Sequence, residues 1–150
     1  MIHHAEIAPV MACRLEGGNT VIPGIVDEVL SHRHAWVRSG QPTPEMLELL
    51  GLALNEVLHT VVEFAGAQLP DSDSRVELWI EKSLVILTVR FHGRGLPQWL
   101  TTNWDRGQEP AVLAPPQDVG WGWLLVREAM DSVNYASSGS GQLLFLEKRL

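Results

Sequence analysis

Leu52 to Ala65 reads L-A-L-N-E-V-L-H-T-V-V-E-F-A, and the fold is decided by how this stretch is read. It continues a helical pattern that opens at Thr43-Pro44-Glu45. Thr43 suits the N-cap, Pro44 the first helical position and Glu45 a first turn that favours acids. Met46, Leu50, Ala53, Val57 and Val61 form one apolar stripe, with Leu47, Leu54, Leu58 and Val62 beside it. A helix so apolar, running to about Phe64, must be largely buried. Glu56, His59, Thr60 and Glu63 interrupt the stripes at i, i+3, i+4 and i+7, which gathers four polar side chains on one face.

Working outward, Ile7 to Leu15 is a plausible strand closed by Glu16-Gly17-Gly18-Asn19, and Ile22 to about Val37 has helical spacing with Pro23 in its first turn. Beyond the central helix, Arg75–Glu81 and Leu84–Phe91 read as a hairpin around Lys82-Ser83. The second of these strands, L-V-I-L-T-V-R-F, is apolar enough to be central. His92-Gly93-Arg94-Gly95 is a turn, and Leu96 to Val119 has prolines and no clear period, as expected of a long irregular loop. Gly120-Trp121-Gly122 opens a third helix to about Met130. Ser132–Ala136 and Gln142–Leu150 make a closing hairpin around residues 137–141. Hairpin-linked strands with helices grouped apart predict an α+β fold, a two-layer sandwich of a mostly antiparallel mixed sheet with helices on one face. Residues 1–150 read as a single domain.

Composition narrows the function classes. The net charge is −7, and eleven basic residues are scattered without a run, so no nucleic-acid partner is expected. Hydrophobic residues make up 45% of the chain, as in an ordered globular protein. Cys13 is the only cysteine, so no intrachain disulfide can form and a reducing cytoplasm is the expected location. It is either a reactive thiol or a small buried hydrophobe in an early strand. No apolar run is long enough to span a bilayer, and M-I-H-H-A-E-I-A-P has no signal-peptide pattern.

Three motifs in order resemble the Bergerat-fold (GHKL) ATPases, the superfamily of histidine kinases and of the serine kinases that act as anti-sigma factors. The first is the helix quoted above. The second is V-R-F-H-G-R-G-L-P, Val89 to Pro97, which resembles the family's Asp-x-Gly-x-Gly box through Gly93, Gly95, Leu96 and Pro97. The third is G-W-G-W-L-L-V-R-E-A-M-D, Gly120 to Asp131, which resembles the second glycine box and its helix. The continuation through Ser132-Val133 to the final L-E-K-R-L looks most like the anti-sigma-factor branch.

The resemblance implies roles at numbered positions. Glu56 would be the general base, and residues 96–119 the ATP lid. Thr60 stands where the family has a Mg²⁺-holding Asn, and Phe91 where it has the Asp that accepts a hydrogen bond from adenine. A threonine oxygen is shorter and branched, and Mg²⁺ demands near-ideal geometry, so metal binding through Thr60 is weakened. Phe91 has no acceptor at all. Gly93, Gly95, Gly120 and Gly122 would line a degenerate nucleotide site, the latter two offering backbone N–H groups to phosphate or simply allowing close packing. Trp99, Trp104, Trp121 and Trp123 either fill the pocket, form a protein interface, line a remodelled pocket for a flat non-nucleotide ligand or serve as ordinary core.

Glu56-x-x-His59 also resembles half of a di-iron motif, but such a site needs a second copy that the chain lacks. The resemblance therefore implies a regulatory signalling protein that binds a sigma factor or a STAS-type anti-anti-sigma partner, with ATP binding impaired or lost. The alternative is an active ATP-dependent anti-sigma-factor serine/threonine kinase. No cofactor is expected unless the site is functional, in which case ATP and Mg²⁺ are implied. Dimers are common in the family, so a homodimer is a further implication.

Overall fold

Residues 8–15, 18–33, 43–65, 74–81, 84–92, 96, 104–105, 121–139 and 141–149 are described by the structure, a computed structural model. In chain order they form β1 (Met11–Arg14), a 3₁₀ turn (Gly18–Val21), α1 (Ile22–Ser31), α2 (Pro44–Ala65), β2 (Arg75–Glu81), β3 (Leu84–His92), β4 (Trp104–Asp105), α3 (Trp121–Ala129), β5 (Ser132–Ser138) and β6 (Gly141–Arg149). The strands make one sheet in the order β1-β2-β3-β6-β5-β4, with β3 central as its apolar sequence demands. Every described pairing is antiparallel, so the parallel component that a mixed sheet would contain is absent among the described residues.

The period-2 alternation of the strands sorts the sheet into two faces. Val76 and Leu78 of β2, Val85, Leu87, Val89 and Phe91 of β3, and Leu144 and Leu146 of β6 all turn inward. They share one buried cluster with Ile22, Ile25 and Val29 of α1, Leu54, Val57, Leu58 and Val61 of α2, and Val126 of α3. Burial of each such side chain contributes about 1.5–3 kcal/mol, so this layer contact is the main source of stability. The helices lie on this inner face, as an α+β sandwich requires.

Helix α2 begins as its sequence predicts. The Met46 N–H donates to Thr43 Oγ1 at 3.2 Å and the Leu47 N–H to the Thr43 carbonyl at 3.0 Å. Thr43→Ala removes the side-chain cap, and a loss of about 1 kcal/mol is expected, read as a lower urea midpoint with an unchanged slope.

Several boundaries differ from expectation. Strand β1 pairs only over Met11–Arg14, at the sheet edge against β2. Helix α1 ends at Ser31, where the His32 N–H turns back to the Val29 carbonyl at 3.2 Å and tightens the last turn; the rest of the stretch expected to reach Val37 lies largely outside the described residues. The closing hairpin is tighter than a five-residue loop. Ser138 pairs with Gly141, leaving two residues between, and Gly139 takes φ +60°, a conformation glycine adopts without steric cost. The stretch 96–119 is not wholly irregular, because Trp104 and Asp105 pair with Val133 and Ser132 as an edge strand. Its remaining residues, apart from Leu96, lie outside the described set.

Candidate functional site

The polar face of α2 meets the start of α3. Glu56 and Thr60 are both half-buried, one turn apart. The Thr60 hydroxyl donates to the Glu56 backbone carbonyl at 2.8 Å, the back-bond that a helical threonine commonly makes. Its β-branched side chain is thereby committed to its own helix. Across the interface, Gly122 is the second residue of α3. A Cβ placed on it would lie 2.0 Å from Glu56 Oε2, 2.2 Å from Cδ and 2.7 Å from Cγ. The Glu56 side chain therefore lies directly against the Gly122 backbone, with its carboxylate at the N-terminal turn of α3. Free backbone N–H groups and the helix dipole favour negative charge there.

Phe91 is fully buried, the largest side chain with no exposure to solvent among the described residues. It faces the helices near the end of β3, directly opposite Gln142 of β6. Gln142 is itself buried and accepts a hydrogen bond from the Tyr135 hydroxyl, which in turn accepts one from the Leu96 N–H at 3.2 Å. Tyr135 and Gln142 went unremarked in the sequence. Alternation with Leu144 and Leu146 was the available signal that Gln142 points inward.

The other expected site residues are distributed less tightly. His59 Nδ1 lies 3.1 Å from Asn19 Oδ1 on the surface, and Glu63 is exposed. No group of three or more His, Cys, Asp or Glu residues gathers to hold a metal among the described residues. Trp123 is buried in the core cluster. Trp104 contributes backbone to β4, and Trp121 opens α3. Gly93, Gly95, Trp99 and Gly120 lie outside the described residues, as do the side chains of Trp104 and Trp121.

Cys13 is half-buried on β1. Burial first, and the nearby Glu28 charge second, push its thiol above the ordinary range. A raised thiol pKa leaves less thiolate at neutral pH. Alkylation by iodoacetamide at pH 8 is accordingly expected to be several-fold slower in the native protein than in urea, as followed by mass spectrometry; equal rates would contradict this.

These positions can be tested against Mg·ATP, the ligand of the resembled family. At the adenine position there is a buried ring in place of an acceptor. At the Mg²⁺ position the hydroxyl is turned to its own helix. At the phosphate-binding helix start a carboxylate already lies against the glycine. The residues present do not fit Mg·ATP.

A family model described as the histidine kinase-like ATPase domain matches residues 23–148. The chain belongs to this family. Among solved structures it is similar to the histidine kinase domain of the blue-light activated histidine kinase from Erythrobacter litoralis EL346, with a TM-score of 0.54 and 16% identity. That match covers 88% of this chain and 60% of the other, so the chain spans less than two thirds of that structure's length. At this identity the likeness carries the fold alone. No curated protein matches the chain. No described helix is long and apolar enough to cross a membrane.

Proposed function

We propose that this chain is a regulatory signalling protein of the anti-sigma-factor type. It binds a sigma factor or a STAS-type anti-anti-sigma partner in the cytoplasm without relying on ATP. The observation that supports the loss of nucleotide binding is the complete burial of Phe91 at the adenine-acceptor position. Losing a charge-assisted hydrogen bond there costs about 1.5–3 kcal/mol, roughly a ten- to hundredfold loss of affinity. Thr60, shorter and branched where the family has Asn, weakens the Mg²⁺ contact at the other end of the same ligand.

An active serine/threonine kinase is the second reading: its support is that the sequence keeps Glu56 at the position of the family's general base and the glycines of the second glycine box. Titration calorimetry with Mg·ATP and Mg·ADP separates the two. No binding heat at millimolar nucleotide, together with nucleotide-independent capture of a purified sigma factor or STAS-domain protein, is the expected result. Micromolar Mg·ATP binding, with phosphate transfer to a partner serine that Glu56→Ala abolishes, would instead establish the kinase.

A further inference from the structure

The face of the sheet turned away from the helices has a gap near the β5–β6 hairpin. The register sets His92 of β3 opposite Gly141 of β6, and Gly141 opposite Ser138 of β5. In the next row of the same face Arg90 stands beside Leu143, and Leu143 beside Ala136. Neighbouring strands lie about 4.8 Å apart, so His92 and Ser138 stand roughly 9.6 Å from each other with no side chain between them. The result is a hollow of about 380 Å³, floored by Gly141, Ala136 and Leu143 and walled by Arg90, His92 and Ser138. Sites for small ligands are usually about 300–1,000 Å³.

The polar groups around this hollow are donors without a commitment elsewhere. Arg14, Arg75 and Arg90 line up across β1, β2 and β3, but Arg14 and Arg75 hold partners of their own. Arg90 is exposed and makes no ion pair among the described residues. Glu77 and Glu81 line the neighbouring groove, on the β2 side of Arg90. On the β6 side, no acid among the described residues lines the hollow. His92 Nδ1 is buried without a hydrogen-bond partner. With nothing to accept a proton from Nδ1, the neutral ring carries its hydrogen on Nε2 and donates from there. The Ser138 side chain is exposed, and its hydroxyl can rotate to donate as well.

We propose that this hollow binds a small phosphate monoester. The phosphoryl group sits over Gly141, where its three terminal oxygens meet the Arg90 guanidinium, the His92 ring N–H and the Ser138 hydroxyl. The esterified organic group lies along Ala136 and Leu143. A carboxylate brings only two oxygens to the same three donors and satisfies them less fully. The chain's net charge of −7 repels an anion at long range, so affinity must come from these local donors. Gly141 makes the room. A Cβ on it would meet only the Ser138 carbonyl oxygen, at 3.3 Å, and its φ lies outside the left-handed region. The backbone thus accepts a side chain here that the ligand would not. The hollow is on the opposite face of the sheet from α2 and α3, so the proposal does not depend on whether nucleotide binds between them.

The test is titration of the full, isotope-labelled chain with phenyl phosphate, followed by backbone amide shifts. Saturable shifts are expected around Arg90, His92, Ser138 and Gly141, with a dissociation constant in the millimolar range or below. Benzoate and benzyl alcohol should bind at least about tenfold more weakly. Arg90→Gln should weaken phenyl phosphate by about tenfold or more, and Gly141→Val should abolish its binding by filling the hollow. Arg149→Gln removes the same charge from an exposed position at the far end of β6 and should leave binding unchanged. Arg90 is exposed, so Arg90→Gln keeps the fold and decides the matter even where Gly141→Val does not fold. No saturable shifts, shifts centred elsewhere, or equal binding of benzoate would overturn the proposal. So would a loss in Arg149→Gln as large as in Arg90→Gln, or full affinity in a folded Gly141→Val protein.

Discussion

Phe91→Asp, the substitution that restores the family's adenine acceptor, is expected to unfold the protein rather than to create an ATP site. Phe91 has no exposure and belongs to the continuous core formed by the inner face of the sheet and the three helices. Truncating such a ring costs about 3–5 kcal/mol, which is the expectation for Phe91→Ala. Aspartate adds the cost of a carboxylate in an apolar surround, several kcal/mol more unless it takes up a proton. Against a total stability of about 5–15 kcal/mol, Phe91→Ala should leave a weakened but cooperative fold, and Phe91→Asp little or none. Urea titration of both variants, with calorimetry against Mg·ATP for whichever folds, measures this. A stable Phe91→Asp protein that binds Mg·ATP would show that the pocket survives and that the ring merely plugs it.

The second large effect is a coupling between α2 and α3. Gly122→Ala would ordinarily stabilise a helix by roughly 1 kcal/mol. Here the new Cβ falls 2.7 Å or less from three atoms of Glu56, including Cγ, so moving only the carboxylate tip does not clear it. The whole side chain must change rotamer or the helices must part, at a cost of about 1–3 kcal/mol, so Gly122→Ala should be net destabilising. Glu56→Ala removes the obstructing atoms. The double variant should recover most of the loss, a coupling of about 1–2 kcal/mol in the denaturation cycle. Additive single and double variants would mean that Glu56 swings aside freely and that the contact has no structural weight.

Much of the architecture was legible in the chain because its signals are local. The stripes of α2 and the Thr43-Pro44-Glu45 start depend on side-chain spacing and on backbone groups within one turn. The β2–β3 hairpin depends on alternation that needs no distant partner. The residues that were misjudged owe their state to pairing at a distance. Trp104 and Asp105 carry no strand period of their own and are ordered by the free edge of β5. The extra length of β5 and β6 comes from Gly139 permitting a two-residue turn.

The site divides the same way. The departures at Thr60 and Phe91 could be read from residue types, but what each side chain does could not. Only helix packing shows that Gly122 receives the Glu56 side chain, and only strand register sets Gln142 opposite Phe91 and lines up Arg14, Arg75 and Arg90. By itself, the sequence determined the family, the helices and the loss of two ligand-binding groups, all properties of residue type and short-range spacing. The tertiary structure alone decided that Phe91 is solid core and that the carboxylate of Glu56 lies at a helix start. Each of these depends on which distant segments pack or pair, and no local pattern encodes that.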